Sequence, residues 1–283
     1  MGPMAFLTWR AGVGALAVGV LVVALIARRG LRIPRLRDLS RADRSALALL
    51  LLFTTVVNVA MFLAFTRTTI GVAMICFYTY PALVTLGAVR FFDERIDRRR
   101  AAALCLGFGG LFLVLVPSIM AGGTAVDPLG VGLALLASVL QASNVLLMGR
   151  GFGAVPTVVT GLVLNLIPAF AYAALAIAVG ETPFPLGLST DRMAVIAIFS
   201  GVIGAAMPTL ANLAGIGIIG PARAAIVMLF EAVVAVAMAA IFLSQRPALV
   251  QVLGGAAVLL SGALLQAPRG NERLVVEAVH PTV

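Results

Sequence analysis

Residues 69–117 read TIGVAMICFYTYPALVTLGAVRFFDERIDRRRAAALCLGFGGLFLVLVP, which is two apolar runs joined by a short charged turn. Residues 219–267 read IGPARAAIVMLFEAVVAVAMAAIFLSQRPALVQVLGGAAVLLSGALLQA and repeat the pattern. The first run of each copy is interrupted near its middle, at Tyr80-Pro81 and at Glu231-Ala232. A turn with an arginine and a glycine-rich run then follow in both copies. This order of features indicates an internal repeat.

The amino-acid composition indicates a membrane protein. Of its 283 residues, 62% are hydrophobic and 11% are charged, which is too much apolar surface for one water-soluble core. The net charge of +9 does not indicate nucleic acid, because the basic residues are arginines that lie between apolar runs. Cys76 and Cys105 fall inside such runs, so we expect free thiols and no disulfide.

Nine apolar stretches are long enough to cross a bilayer, since about 20 residues of helix span the hydrocarbon core. The sequence therefore predicts an all-α polytopic membrane protein with nine transmembrane helices. The stretches are approximately 5–27, 46–66, 70–91, 101–118, 129–149, 155–179, 194–217, 222–243 and 249–267.

Arginine distribution predicts the orientation, because cytoplasmic loops collect basic residues. The segments 28–45 and 90–100 hold seven and five arginines, so we expect both in the cytoplasm. The segment 117–128 holds none and 180–192 holds one, so both are expected outside. Nine alternating crossings satisfy all four assignments. They also place the tail, 268–283, in the cytoplasm. We expect the membrane to be a bacterial inner membrane.

The same orientation predicts that the two repeats are inverted. The turn 91–97 lies inside, whereas the matching turn 244–247 lies outside. Inversion needs an odd number of helices in each half, so that the second copy starts on the opposite side. The second half, 127–267, has five predicted helices, and the first half, 1–118, has four.

The chain resembles the EamA-type branch of the drug/metabolite transporter superfamily over nearly its full length. That family has two inverted repeats of five helices, with a mid-span proline in the fourth helix of each half. A Gly-Glu turn and a helix with spaced glycines follow. The first copy matches this pattern at Pro81, Glu94 and Gly110. The second copy departs from it, with Ala232 in place of proline and Gln245 in place of glutamate.

The segment LTWRAGVGALAV, which contains Arg10, resembles the second helix of that family. The first family helix is therefore absent, and we expect a misplaced start or a truncation rather than a sufficient set of nine helices. Arg10 lies near the outer end of its helix and is expected to snorkel, although the resemblance also allows it to meet an anionic group.

Glu231 is the main candidate for function, because it lies about nine residues inside an apolar helix. An ionised carboxylate at that depth is costly, and intramembrane acids usually serve function. It suits a proton-coupling site or a counter-charge for an amine substrate. The alternative is a protonated glutamate that only hydrogen-bonds to a neighbouring helix.

Tyr78, Tyr80 and Pro81 occupy the matching depth in the first copy. Tyrosines at mid-span need a hydrogen-bonding partner or a wet cavity, and Pro81 leaves one backbone carbonyl without its donor. We therefore predict substrate contacts at both tyrosines and a hinge at Pro81. A kink filled by aromatic rings explains the same residues equally well.

Several neutral polar side chains lie within the predicted spans. Together they predict a central polar cavity that contacts substrate, although each alone is more often a contact between helices. Pro208 is predicted to be a second hinge. The polar residues are Asn58, Gln141, Asn144, Asn165 and Asn212.

These features predict a secondary active transporter, a proton-coupled exporter of a small metabolite, amino acid, amine or drug that works by alternating access. A passive channel or lipid scrambler is the alternative. An enzyme, a cofactor and a metal are not expected, because the only histidine, His280, lies in the tail and no HExxH motif occurs. The expected partners are the substrate, protons and lipids, with the protein a monomer or homodimer.

Overall fold

The computed structural model describes residues 2–92, 97–121, 127–152, 155–183, 191–242 and 248–266, and within these ranges the regular structure is helical. A π-helical turn, Val202–Ala206, joins the helices Asp191–Gly201 and Met207–Ile219. The α-helices are α1 (Pro3–Arg29), α2 (Arg41–Arg67), α3 (Ile70–Phe77), α4 (Tyr80–Phe92), α5 (Arg98–Ala121), α6 (Pro128–Arg150), α7 (Thr157–Ala178), α8 (Asp191–Gly201), α9 (Met207–Ile219), α10 (Pro221–Met228), α11 (Phe230–Phe242) and α12 (Leu249–Gln266).

Seven helical segments within the described ranges are long and apolar enough to cross a membrane. The chain is therefore a multi-pass membrane protein. The predicted eighth span corresponds to two half-helices, α10 and α11, and the ninth to a shorter apolar helix at Leu249–Leu264. The count of nine crossings stays a prediction. The seven segments are Met4–Arg29, Arg41–Arg67, Ile70–Phe92, Arg98–Val116, Pro128–Arg150, Thr157–Ala178 and Ile198–Ile219.

Side-chain caps explain where several helices begin. The Ser40 hydroxyl accepts a hydrogen bond from the Asp43 N–H at 3.0 Å and starts α2. Thr69 does the same for Val72 at the start of α3, and Asp127 precedes α6. Polar side chains at this position satisfy backbone donors that have no partner in the first turn. The helix starts are thus encoded locally.

Both copies of the repeat contain a helix that breaks at the same place. The first is divided into eight and thirteen residues, α3 and α4, and the second into eight and thirteen, α10 and α11. Pro81 cannot donate a backbone hydrogen bond, which accounts for the first break. At the second break Leu229 N–H bonds to the Ile226 carbonyl, three residues back, without a proline. The matched proportions agree with an internal repeat.

The first break is also held from outside. The Thr79 hydroxyl oxygen lies 2.7 Å from the Cys76 carbonyl oxygen, to which the hydroxyl donates. It also lies 2.7 Å from the Ser138 hydroxyl oxygen of α6, and these two hydroxyls form a hydrogen bond. Ser138 is fully buried. The break is therefore attached to α6 at mid-span.

Helices α2 and α6 are antiparallel neighbours joined at both ends. Arg150, at the end of α6, lies 3.7 Å from Asp43, near the start of α2. Arg67, at the end of α2, lies 3.9 Å from Asp127, which caps α6. Exposed pairs of this kind contribute little to stability. They do show which helix ends lie together.

Two further pairs are antiparallel. The Ala5 N–H at the start of α1 donates to the carboxylate of Glu181, which follows α7, at 2.9 Å. The Gln251 side chain, near the start of α12, donates to the Val114 carbonyl, in the second half of α5, at 3.2 Å. In both pairs, a helix of the first half runs against a helix of the second half.

The crossing of α5 and α12 is close enough to require glycine. A Cβ atom on Gly110 would lie 2.6 Å from the Gly254 carbonyl oxygen and 2.9 Å from the Ala257 Cβ atom. Gly110 and Gly254 therefore lie where the two helices are in close contact. Gly109 differs, because a Cβ atom there would meet nothing within 4 Å.

Several predicted features lie outside the described residues. They are Glu94, the turn with Gln245 and Arg246, and the tail 268–283. The assignments of these residues stay predictions.

Candidate functional site

A cavity of about 890 Å³ lies among helices of both halves. Residues of α1, α2, α3, α4, α6, α7, α9, α10 and α11 and of the π-helical turn line it. Most of its wall is apolar, and its polar side chains converge from seven of these helices. They are Arg10, Thr54, Asn58, Tyr80, Gln141, Asn165, Tyr172, Thr209, Asn212 and Glu231.

Glu231 lies in the first turn of α11 and lines this cavity as an exposed side chain. The N-terminus of a helix carries partial positive charge, which favours an anion there. Arg10 of α1 and Tyr80 of α4 line the same cavity as Glu231. The predicted mid-helix acid is therefore at the start of a half-helix, facing polar groups from the opposite half.

The two predicted tyrosines have different positions. Tyr80 is 2% exposed and lines the cavity at the start of α4. Tyr78 is 1% exposed and lies behind it in the apolar core, with its ring centroid 6.2 Å from that of Tyr80. Pro81 is buried and is not part of the lining. Substrate contact stays a prediction for both tyrosines, and the geometry favours Tyr80.

Four of the five predicted amides line the cavity: Asn58, Gln141, Asn165 and Asn212. The Asn58 and Asn165 amides each donate to the backbone carbonyl four residues earlier, at 2.8 and 2.9 Å. Asn144 is 2% exposed and lies outside the lining. Its side-chain oxygen has no hydrogen-bond partner in the described part of the chain.

Arg10 reaches the cavity and does not snorkel towards the end of its own helix. Its Nη2 atom donates to the Gly204 carbonyl, in the π-helical turn before α9. Pro208 explains why that carbonyl is free, because proline has no N–H for the residue four positions earlier. The expectation of snorkelling is wrong for this reason. Pro208 also lines the cavity, and its role as a hinge stays a prediction.

Sequence reasoning missed Tyr172 and Thr54 as cavity residues. Tyr172 is 3% exposed and lies beside Asn58. Tyr172 lies inside α7 and not at either end. Because tyrosine is usually found at the membrane interface, this position within a predicted span was the available signal. Thr54 precedes Asn58 by four residues, which places both on one face of α2.

The cavity is open on the side of α9 and α11. Beside the first copy of the broken helix, α6 packs on α2 and α4 and keeps Tyr80 buried. In the second copy, the residue matching Tyr80 is Glu231, which is exposed, and Val234 one turn later is 54% exposed. Among the residues that the structure describes, no helix occupies the place beside α11 that α6 occupies beside α4.

Apolar spanning helices that break beside a polar cavity define a membrane transporter architecture, because such breaks bring backbone and side-chain polar groups to mid-membrane. A sequence model of the EamA-like transporter family matches residues 1–116 and 128–266, so the chain belongs to that family. The family has the drug/metabolite transporter fold, and its members are transporters.

A solved crystal structure supports the fold. It is 18% identical in sequence, and the match covers 94% of this chain and 88% of that one, with a TM-score of 0.72. At this identity the likeness shows the fold alone. No curated protein matches the chain.

Proposed function

We propose that the protein is a secondary active transporter that moves a small molecule through the central cavity by alternating access. The observation that supports this most strongly is the position of Tyr80 and Glu231. They begin the second halves of two matched broken helices and line one cavity from opposite repeats. Transporters bind substrate at such places because the broken helices supply polar groups at the membrane midplane.

The two halves, 1–118 and 127–267, are proposed to be inverted repeats of four and five helices. The antiparallel pairs α1–α7 and α5–α12 support this, because corresponding helices of inverted halves run in opposite directions. With nine crossings, the tail 268–283 is proposed to lie in the cytoplasm. The proposed location of the protein is a bacterial inner membrane.

Glu231 is proposed to couple transport to protons. Its carboxylate is exposed, accepts no hydrogen bond from the described residues and lines the same cavity as Arg10 and Tyr80. A carboxylate without a fixed partner can take up and release a proton as the cavity changes sides. Export is the proposed direction, and metabolites, amino acids, amines and drugs are the candidate substrates. The protein is proposed to be a monomer or a homodimer surrounded by lipids.

Reconstituted vesicles test this proposal. Purified protein is placed in liposomes that contain a trapped pH dye, and radiolabelled phenylalanine, phenethylamine and ethidium are supplied under an imposed pH gradient. We expect saturable flux of at least one probe with accompanying proton movement. Glu231→Gln should remove the pH dependence of this flux and leave the protein folded. An unchanged pH response in this variant would contradict proton coupling.

A lipid scrambler or passive channel is the second candidate, and the open side of the cavity favours it. Val234 and Ala211 are exposed and line the same cavity as Glu231, so a lipid headgroup has access to the polar interior. Scrambling of a fluorescent lipid in the same vesicles, or flux that rises linearly with concentration, would favour this candidate over the carrier.

A further inference from the structure

We infer that Gly107 of α5 and Gly262 of α12 are positioning residues for Glu231. Each glycine leaves a gap that receives one side chain of the second helix break, Leu229 or Phe230, and these two residues directly precede Glu231 in the chain. The inference rests on the proposed role of Glu231 in transport. It adds two residues that are not among those lining the cavity.

The side chains of the break lie closer to the two glycines than a larger residue at either position would allow. A Cβ atom on Gly107 would lie 2.8 Å from the Leu229 Cδ1 atom, and one on Gly262 would lie 2.7 Å from the Phe230 Cζ atom. Carbon atoms in van der Waals contact are about 3.5–4.0 Å apart. Leu229 is fully buried, and Phe230 packs against the same apolar core. Both side chains therefore occupy space that the methyl group of an alanine would take.

The two breaks are held by different kinds of contact. At the first break, the Thr79 hydroxyl bonds to Ser138 of α6. The register that matches Tyr80 to Glu231 matches Thr79 to Phe230, whose ring has no hydroxyl to form such a bond. The side chains at the second break are apolar, so only packing against their neighbours can hold them in place.

The helices that carry the two gaps are fixed to one another. They cross closely at Gly110 and Gly254, and Gly107 lies one turn before Gly110 on α5. The Ser261 hydroxyl oxygen, next to Gly262 on α12, would lie 3.0 Å from a Cβ atom on Gly107. The two gaps are therefore neighbours on one rigid pair of helices.

The start of α11 depends on this pair. α11 packs on α5, α10 and α12, whereas its Val234 and Met238 side chains are 54% and 42% exposed. Leu229 and Phe230 seat the first residues of the half-helix against α5 and α12. The next residue is Glu231, so the two glycines set where its carboxylate lies in the cavity.

A thiol at position 231 reports this placement directly. Glu231→Cys is made in a background with Cys76 and Cys105 replaced by alanine, and its labelling rate by a water-soluble thiol reagent is measured on the purified protein. Gly107→Ala or Gly262→Ala is then added. Because the new methyl group displaces the neighbouring side chain of the break, we expect each substitution to change the rate by about threefold or more.

Two glycines of the same helices supply matched controls. A Cβ atom on Gly109 would meet nothing within 4 Å, and one on Gly255 would lie 3.5 Å from the nearest Val233 atom, which is an ordinary contact. We expect Gly109→Ala and Gly255→Ala to leave the rate at position 231 unchanged. Asn58→Cys, on α2, lines the same cavity and should keep its rate in all four glycine variants.

Smaller partners separate positioning from a general loss of structure. Phe230→Leu removes the Cζ atom that lies nearest in the gap at Gly262, and Leu229→Val removes the Cδ1 atom in the gap at Gly107. Combined with the matching Gly→Ala substitution, each should return the labelling rate at position 231 towards that of the original glycine.

Equal labelling at position 231 in all four glycine variants would overturn the inference. A change at Asn58→Cys as large as that at Glu231→Cys, or no recovery with the smaller partners, would show a general disturbance of the bundle and would also overturn it. Labelling does not require transport. Failure of the proposed function therefore gives a different result, in which no probe shows saturable flux while the labelling pattern is retained.

Discussion

The crossing of α5 and α12 allows a quantitative prediction for Gly110→Ala. The added Cβ atom would lie 2.6 Å from the Gly254 carbonyl oxygen and 2.9 Å from the Val258 nitrogen, both backbone atoms. Backbone atoms cannot rotate away as a side chain can, so the two helices must separate locally. Added bulk in a close-packed contact costs about 1–3 kcal/mol.

Gly109→Ala is the matched control. It is the adjacent residue of the same helix, and its Cβ atom would meet nothing within 4 Å. Both variants gain helix propensity of roughly 1 kcal/mol relative to glycine. The clash alone separates them, so we expect Gly110→Ala to be less stable than Gly109→Ala by about 1–3 kcal/mol.

Thermal unfolding in detergent, followed by fluorescence-detected size exclusion, measures the difference. We expect the midpoint for Gly110→Ala to fall several degrees below that for Gly109→Ala. Equal midpoints would show that α5 and α12 do not cross at these glycines, and would refute the reasoning about this contact.

Three further changes test other parts of the structure. Thr79→Val leaves the buried Ser138 hydroxyl without its partner, so thermal unfolding should show a loss of about 1–3 kcal/mol, whereas Thr79→Ser should retain stability. Pro208→Ala supplies an N–H that competes for the carbonyl bonded to Arg10, so saturable flux in the vesicle assay should fall while thermal stability is maintained; unchanged flux would contradict this positioning role. Single cysteines are placed at Asp97 and Gln245 in a cysteine-free background. The cysteine at Asp97 should react with an impermeant thiol reagent from the inside and the cysteine at Gln245 from the outside. Reaction of both cysteines from the same side would contradict inverted halves.

Local chemistry made most of the fold predictable from the sequence. The predicted helix limits lie within a few residues of those observed, because apolar stretches, capping residues such as Ser40 and loop arginines act within one turn of the chain. The break at Tyr80-Pro81 was also predictable, since proline removes a backbone donor. The break at Leu229 occurs without any such residue, and its matched position in the repeat was the only signal.

The candidate site was less predictable, because it depends on which side of each helix faces the other half. Periodicity does not show this when a helix is apolar all around. Tyr78 and Tyr80 are two residues apart, yet one packs in the core and the other lines the cavity. Arg10 reaches the cavity because Pro208, distant in sequence, leaves a carbonyl that holds it.

The central claim is that the cavity opens alternately to the two sides of the membrane, and a cysteine at Asn58 tests it most directly. In vesicles of known orientation and a background with Cys76 and Cys105 replaced by alanine, Asn58→Cys is labelled from each side by an impermeant thiol reagent. The account predicts that a change of pH on one side raises the labelling rate from one face and lowers it from the other. Labelling that rises from both faces together, as in a pore, or that occurs from one face under every condition, would contradict it.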